Sequence, residues 1–136
     1  MRNSHDIRAG FLPVLLLLVL LVSCNRNKLC TMEYREIYIT VTDSSGKAVL
    51  LDSTYTEIVS TKKKITGKTD SLNKIKGMYL LFSDSQKDMI GENTETDFKF
   101  FGLIGSAIVV EENYLITQDG CHIKLLTGNT NIILKQ

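Results

Sequence analysis

Downstream of residue 33 the chain is written in short runs of alternating apolar and polar residues. Tyr34 to Asp43 reads as a strand, with Arg35, Ile37, Ile39 and Val41 on one side and Glu36, Tyr38 and Thr40 on the other. Ser44-Ser45-Gly46-Lys47 supplies a turn, and Asp43 is placed to bond its own loop backbone. An apolar strand resumes at Ala48–Leu51, which makes a hairpin-like opening, and Thr54–Ser60 is rich in β-branched residues. Thr61–Gly77 is polar and reads as a long connection, with one short strand near Ile65. Met78–Phe82 is a compact buried strand, Ser83–Asp88 a turn or a single helical turn, and Thr94–Phe101 alternates again. Ala107–Glu111, Tyr114–Thr117, His122–Leu126 and Asn131–Leu134 follow as four short strands. They are separated by turns at Asn113, Asp119-Gly120 and Thr127-Gly128-Asn129. No segment sustains a 3.6-residue period. About seven to nine short strands at this spacing predict an all-β antiparallel sandwich. Its expected core is Ile37, Ile39, Val41, Leu51, Leu80, Phe82, Phe98, Phe100, Val109, Leu115, Ile123, Leu125, Ile132 and Leu134.

The start of the chain is patterned differently. A polar decapeptide carrying Arg2 and Arg8 precedes Phe11–Val22, twelve residues without a charge or a hydrogen-bonding side chain. A membrane-spanning helix needs about 20 apolar residues, so this run is too short to span. A basic flank, an apolar centre and a small residue near its end are the layout of a secretory signal peptide.

The run closes in Leu21-Val22-Ser23-Cys24, which resembles the lipobox of bacterial lipoproteins. The resemblance implies alkylation of the Cys24 thiol by a diacylglycerol and cleavage between Ser23 and Cys24. It also implies a further acyl chain, palmitate in type, on the new amino terminus. Residues 1–23 are then a cleaved signal peptide, 24–32 a lipid anchor with its tether, and 33–136 the sandwich domain. Several acyl chains hold a protein stably where one does not, because each buried CH₂ adds about 0.8 kcal/mol. The membrane, reached through diacylglycerol on Cys24, is thus the first expected partner. No acidic residue follows Cys24, since position 25 is Asn, and this favours the outer over the inner membrane of the cell envelope.

Lipidation changes the cysteine arithmetic. The chain has three Cys, and with Cys24 taken by lipid, Cys30 and Cys121 remain in an oxidising compartment, where a leftover pair reads as a disulfide. Removal of residues 1–23 also leaves 113 residues with 14 Lys+Arg and 14 Asp+Glu, a neutral single domain without the basic face of a nucleic-acid binder. Lys62-Lys63-Lys64 reads as a solvated or edge-guarding run.

A second resemblance lies in Ile37–Val49, a strand, an Asp…Gly-Lys turn and a second strand, with Gly77-Met78-Tyr79-Leu80 further on. This is similar to transthyretin-like and carboxypeptidase-regulatory-like sandwich domains, which implies a binding or structural module without catalytic residues.

Candidate chemistry is sparse. Cys121 and His122 are adjacent, and neighbours on a strand diverge, so they do not make a nucleophile–base pair. His122 is the single His after the signal peptide, which excludes a multi-histidine metal site, and no cofactor is expected. Asp84, Asp88, Glu92, Glu95 and Asp97 lack the spacing of a calcium loop and read as solvated, as do the adjacent Glu111 and Glu112. Of the tyrosines at 34, 38, 55, 79 and 114, Tyr34 and Tyr38 share the outer face of the first strand and are the candidate ligand-binding pair. The expectation is a non-enzymatic accessory lipoprotein with an envelope protein partner. The alternative is a glycan- or peptide-binding lipoprotein using the tyrosine face or an exposed edge strand.

Overall fold

A computed structural model describes residues 28–67 and 69–135. The apolar run and Cys24 lie outside the described residues. Among the described residues eight strands form two sheets packed face to face, an all-β sandwich. The strands are β1 (Glu36–Asp43), β2 (Ser53–Ile58), β3 (Lys63–Ile65), β4 (Met78–Ser83), β5 (Thr96–Ile104), β6 (Ala107–Gln118), β7 (Ile123–Thr127) and β8 (Asn131–Leu134). A short helix, α1 (Ser71–Ile75), precedes β4, and a 3-10 helix (Asp84–Met89) follows it. One sheet has the order β4-β1-β8, the other β3-β2-β5-β6-β7. All pairings are antiparallel except β1 with β8, which run parallel from Thr40↔Asn131 to Asp43↔Leu134. A parallel neighbour needs a long crossover, and here the whole five-stranded sheet lies between the two strands in sequence.

Each sheet turns one side chain in two toward the other, and the core lies between them. Ile39 and Val41 of β1, Phe82 of β4, Phe98 and Phe100 of β5 and Ile116 of β6 are wholly buried. The Phe82 and Phe98 rings meet across the sheets at 4.8 Å. Two buried hydroxyls cross-link the layers without leaving a polar group unpaired. Thr56 of β2 donates to the Leu81 carbonyl of β4 at 2.9 Å. Tyr79 of β4 accepts the Leu51 N–H at 2.7 Å and donates to the Val49 carbonyl at 2.8 Å, pinning the chain where it passes from one sheet to the other.

Several expected elements differ. The opening is not a hairpin of two full strands. Asp43 builds the turn as expected, accepting the N–H groups of Ser45 and Lys47, but beyond it only a single bridge forms, Thr42↔Ala48. The chain then leaves for the other sheet. The polar stretch before Gly77 holds β3 near Ile65 and also α1, capped by Asp70, which accepts the Asn73 N–H at 2.9 Å. Asn113 is not a turn: β6 runs unbroken for 12 residues, with Asn113 opposite Lys99. The buried residues of β6 include Val110, Tyr114 and Ile116, with Val109 partly buried against the same core, and not Leu115. In β4 they include Tyr79, Leu81 and Phe82, and not Leu80. A bulge at Ile37/Tyr38 sets the β1–β4 register and another at Gly102/Leu103 sets that of β5–β6. A one-residue slip exchanges the two faces of a strand. Tyr79 and Tyr114 are therefore core residues and not surface platforms. The β6–β7 connection spans four residues, Asp119–His122, rather than the two-residue Asp-Gly loop.

Candidate functional site

The densest cluster of polar side chains gathers where the amino-terminal segment enters the domain. Lys28–Arg35 lies against the 3-10 helix and the β6–β7 loop, and residues far apart in sequence meet in consecutive pairs. Cys30 and Cys121 form a disulfide with their Cα atoms 5.3 Å apart, 91 residues apart in sequence. Next to it, the Thr31 hydroxyl lies 2.8 Å from His122 Nε2. His122 Nδ1 is in turn 2.8 Å from Asp84 Oδ2, and both of these side chains are 8% exposed.

Local chemistry explains how each residue is placed. Asp119 folds the loop by accepting the Cys121 and His122 N–H groups on Oδ1, at 2.9 and 2.8 Å. This turn aims the two neighbouring side chains at two neighbouring residues of the amino-terminal segment, Cys30 and Thr31. Asp84 opens the 3-10 helix, where the Ser83 N–H donates to Gln86 Oε1 at 3.1 Å. Its Oδ1 accepts the Ile123 N–H and its Oδ2 the Arg35 N–H, at 2.8 and 2.9 Å. One carboxylate thereby joins the Lys28–Arg35 segment, β4 and β7. Burial works against its charge, but the hydrogen bonds from His122, Ile123 and Arg35 outweigh that penalty and hold the Asp84 carboxyl below its usual range. The Asp119 carboxyl is held low by the His122 and Cys121 amides. An ion pair from Lys28 to Glu92, at 3.2 Å, closes the outer side; it is exposed and contributes little.

Carboxylate, imidazole and hydroxyl stand here in the order of a nucleophilic relay. Both Asp84 oxygens, however, are also committed to backbone amides of two separate segments, and Thr31 is fixed to its neighbour's disulfide. This is the wiring of a clasp. Cys121, in the disulfide, is not a free thiol beside His122.

The two candidate tyrosines are tied to different places. Tyr34 lies before β1 and is 58% exposed, and hydrogen bonding with Ser83 and Ser85 lowers its phenol pKa. Tyr38, within β1, donates to Glu36 Oε2 at 3.1 Å; burial, followed by Glu36, raises its pKa. The exposed face of the five-stranded sheet carries a stacked pair instead. Tyr55 and Phe101 are cross-strand partners with centroids 4.7 Å apart, and the Lys64 ammonium sits 4.5 Å over the Tyr55 ring. Those ring faces are already occupied by each other and by the lysine. An open cleft of about 550 Å³ lies between α1 and the start of β2, lined by Asp52, Thr54, Thr66, Thr69, Asp70 and Lys74 among others.

Asp84 and Thr31 were not legible as parts of one site, since the His122 they share lies 38 and 91 residues from them. The one usable signal was a single His beside a cysteine. Comparison with family models, with characterised proteins and with solved structures finds no match to this chain.

Proposed function

We propose that the protein is a lipid-anchored lipoprotein of the bacterial cell envelope whose β-sandwich serves as a non-enzymatic interaction or accessory module. The observation that carries the proposal is the succession of Leu21-Val22-Ser23-Cys24 and, six residues beyond Cys24, the clasp at Cys30–Thr31. A domain whose first described residues are covalently and polar-bonded to its body suits attachment through that end, because it transmits position from the anchor to the sandwich. In this reading residues 1–23 are removed, Cys24 carries the diacylglycerol, and the protein resides at the outer membrane. Fractionation tests the anchor: the wild-type protein partitions with membranes, and a Cys24→Ala variant is released to the soluble fraction. A Cys24→Ala protein that stayed membrane-bound with its full acyl-labelled mass would contradict it. In-cell crosslinking followed by affinity capture tests the accessory role, and the expected product is a discrete envelope-protein adduct.

A second reading, capture of an extended peptide by strand addition, is supported by the edge at β8. Among the described residues β8 pairs with β1 alone, and Ile133 is 63% exposed. Such an edge accepts a further strand through its backbone. Calorimetry against peptides and glycan arrays separates the two readings. Glycan binding lost on Tyr38→Ala would assign the Tyr34/Tyr38 face, and peptide binding that survives it would assign the β8 edge.

A further inference from the structure

Leu29 and Met32 are the most exposed large apolar residues in the described chain, at 96% and 103%. They flank the clasp. Cys30 and Thr31, themselves exposed, are tied to Cys121 and His122 at the surface of the domain, and the residues on either side project from it. Both are held there by covalent and hydrogen-bonded neighbours, so they cannot turn in to join the core. We infer that Leu29 and Met32 form a lipid-docking point that enters the headgroup–acyl boundary of the membrane carrying the anchor.

The inference rests on the lipoprotein reading, and chain length commits it to lipid. Leu29 is five residues from Cys24, a reach of at most about 17 Å. Interfacial apolar residues bury about 5–10 Å into the boundary, so the tether is short enough to hold these side chains at that depth. Lys28, adjacent to Leu29, has a long stem that lets an ammonium remain at headgroup level beside a buried neighbour. The charges on this end are mixed, with Lys28 and Arg35 against Glu33, Glu92 and Asp119. Contact is therefore apolar, and it depends little on salt or on anionic lipid. With this end seated, β6 carries the β5–β6 turn away from the bilayer: it runs from Ala107 beside that turn to Gln118 beside the clasp.

The chain contains no Trp, so a single introduced tryptophan is an unambiguous reporter. Full-length Leu29→Trp and Met32→Trp proteins, with Ser106→Trp in the β5–β6 turn as control, are expressed with their anchor. They are reconstituted in phosphatidylethanolamine–phosphatidylglycerol vesicles with or without brominated acyl chains. Acylation is read from the intact mass of each sample, and folding from its circular dichroism. The expected result is blue-shifted emission at positions 29 and 32, strongly quenched by brominated chains and unchanged by added salt, with no quenching at 106. Acylated, folded protein with no quenching at either position overturns the inference while leaving the anchor intact. A blue shift that follows protein concentration rather than bromine does so too, because it assigns the residues to a second copy. A protein without acyl chains on Cys24 overturns the lipoprotein reading and this inference with it.

Discussion

Asp84 does at the scale of one residue what no contiguous stretch of sequence could. Its two oxygens accept the Arg35 and Ile123 amides and meet His122, at 8% side-chain exposure. Asp84→Ala strands these groups, and leaving buried donors unpaired costs about 3 kcal/mol or more, measurable as a lower denaturation midpoint. The folded-state pKa of Asp84 is depressed, so its contribution is present above the ordinary carboxylate range and is lost as pH falls through the lowered value. Stability of the wild type is expected to drop as pH falls below the ordinary carboxylate range, and Asp84→Asn is expected to flatten that slope. Tyr114 has the opposite sense. Burial raises its pKa well above 10.0, and its hydroxyl donates to the Asn129 carbonyl at 2.7 Å. The neutral phenol therefore stabilises the fold fully below pH 10, and that stability is lost as pH rises toward the elevated value. Tyr114→Phe is expected to cost about 1 kcal/mol at neutral pH and to weaken the alkaline transition seen by denaturant titration.

At the scale of elements, the alternating runs identified β1, β2, β5, β7 and β8 to within a few residues, because a strand with one buried face must write its period into the sequence. What alternation left undetermined was the choice of face. Val109-Val110 and Leu115-Ile116 offer an apolar residue of either parity, and each falls at a register shift, the first in the β5–β6 pairing and the second in the β6–β7 pairing. α1 was hidden for another reason. It has five residues, no buried side chain, and exposes Leu72 and Ile75, so it has no periodic face to read. The β7–β8 connection shows how packing selects a residue for an element's end. Gly128 has φ +130°, and a Cβ there would strike the Tyr114 ring. Gly128→Ala combines backbone strain with overpacking and is expected to lower stability by about 2–3 kcal/mol, read by urea titration. The disulfide joins the amino-terminal segment to the β6–β7 loop. Its 91-residue separation corresponds to about 4–5 kcal/mol in the chain-entropy model. Reduction is expected to lower the unfolding midpoint, and the Thr31–His122 contact to open with it.

The whole molecule is a sandwich with two distinct ends. At one, Lys28–Arg35 is clasped to the domain by a disulfide and by the Asp84–His122–Thr31 chain of hydrogen bonds. At the other lie the β5–β6 turn and the β8 edge, which among the described residues pairs with β1 alone. Among the described residues no helix is long and apolar enough to cross a membrane. In our account the lipid at Cys24 supplies the attachment and the clasp makes it stiff. The pairing of Cys30 with Cys121 followed from counting cysteines once Cys24 was assigned, whereas the polar clasp beside it depends on contacts that only the fold brings together. Intact-mass analysis of the protein extracted from membranes tests the account most directly. The predicted species begins at Cys24, carries diacylglycerol and a further acyl chain, and is two hydrogens lighter than its dithiol form. A full-length chain with an unmodified Cys24, or an acylated one in which Cys30 and Cys121 are both free thiols, would contradict it.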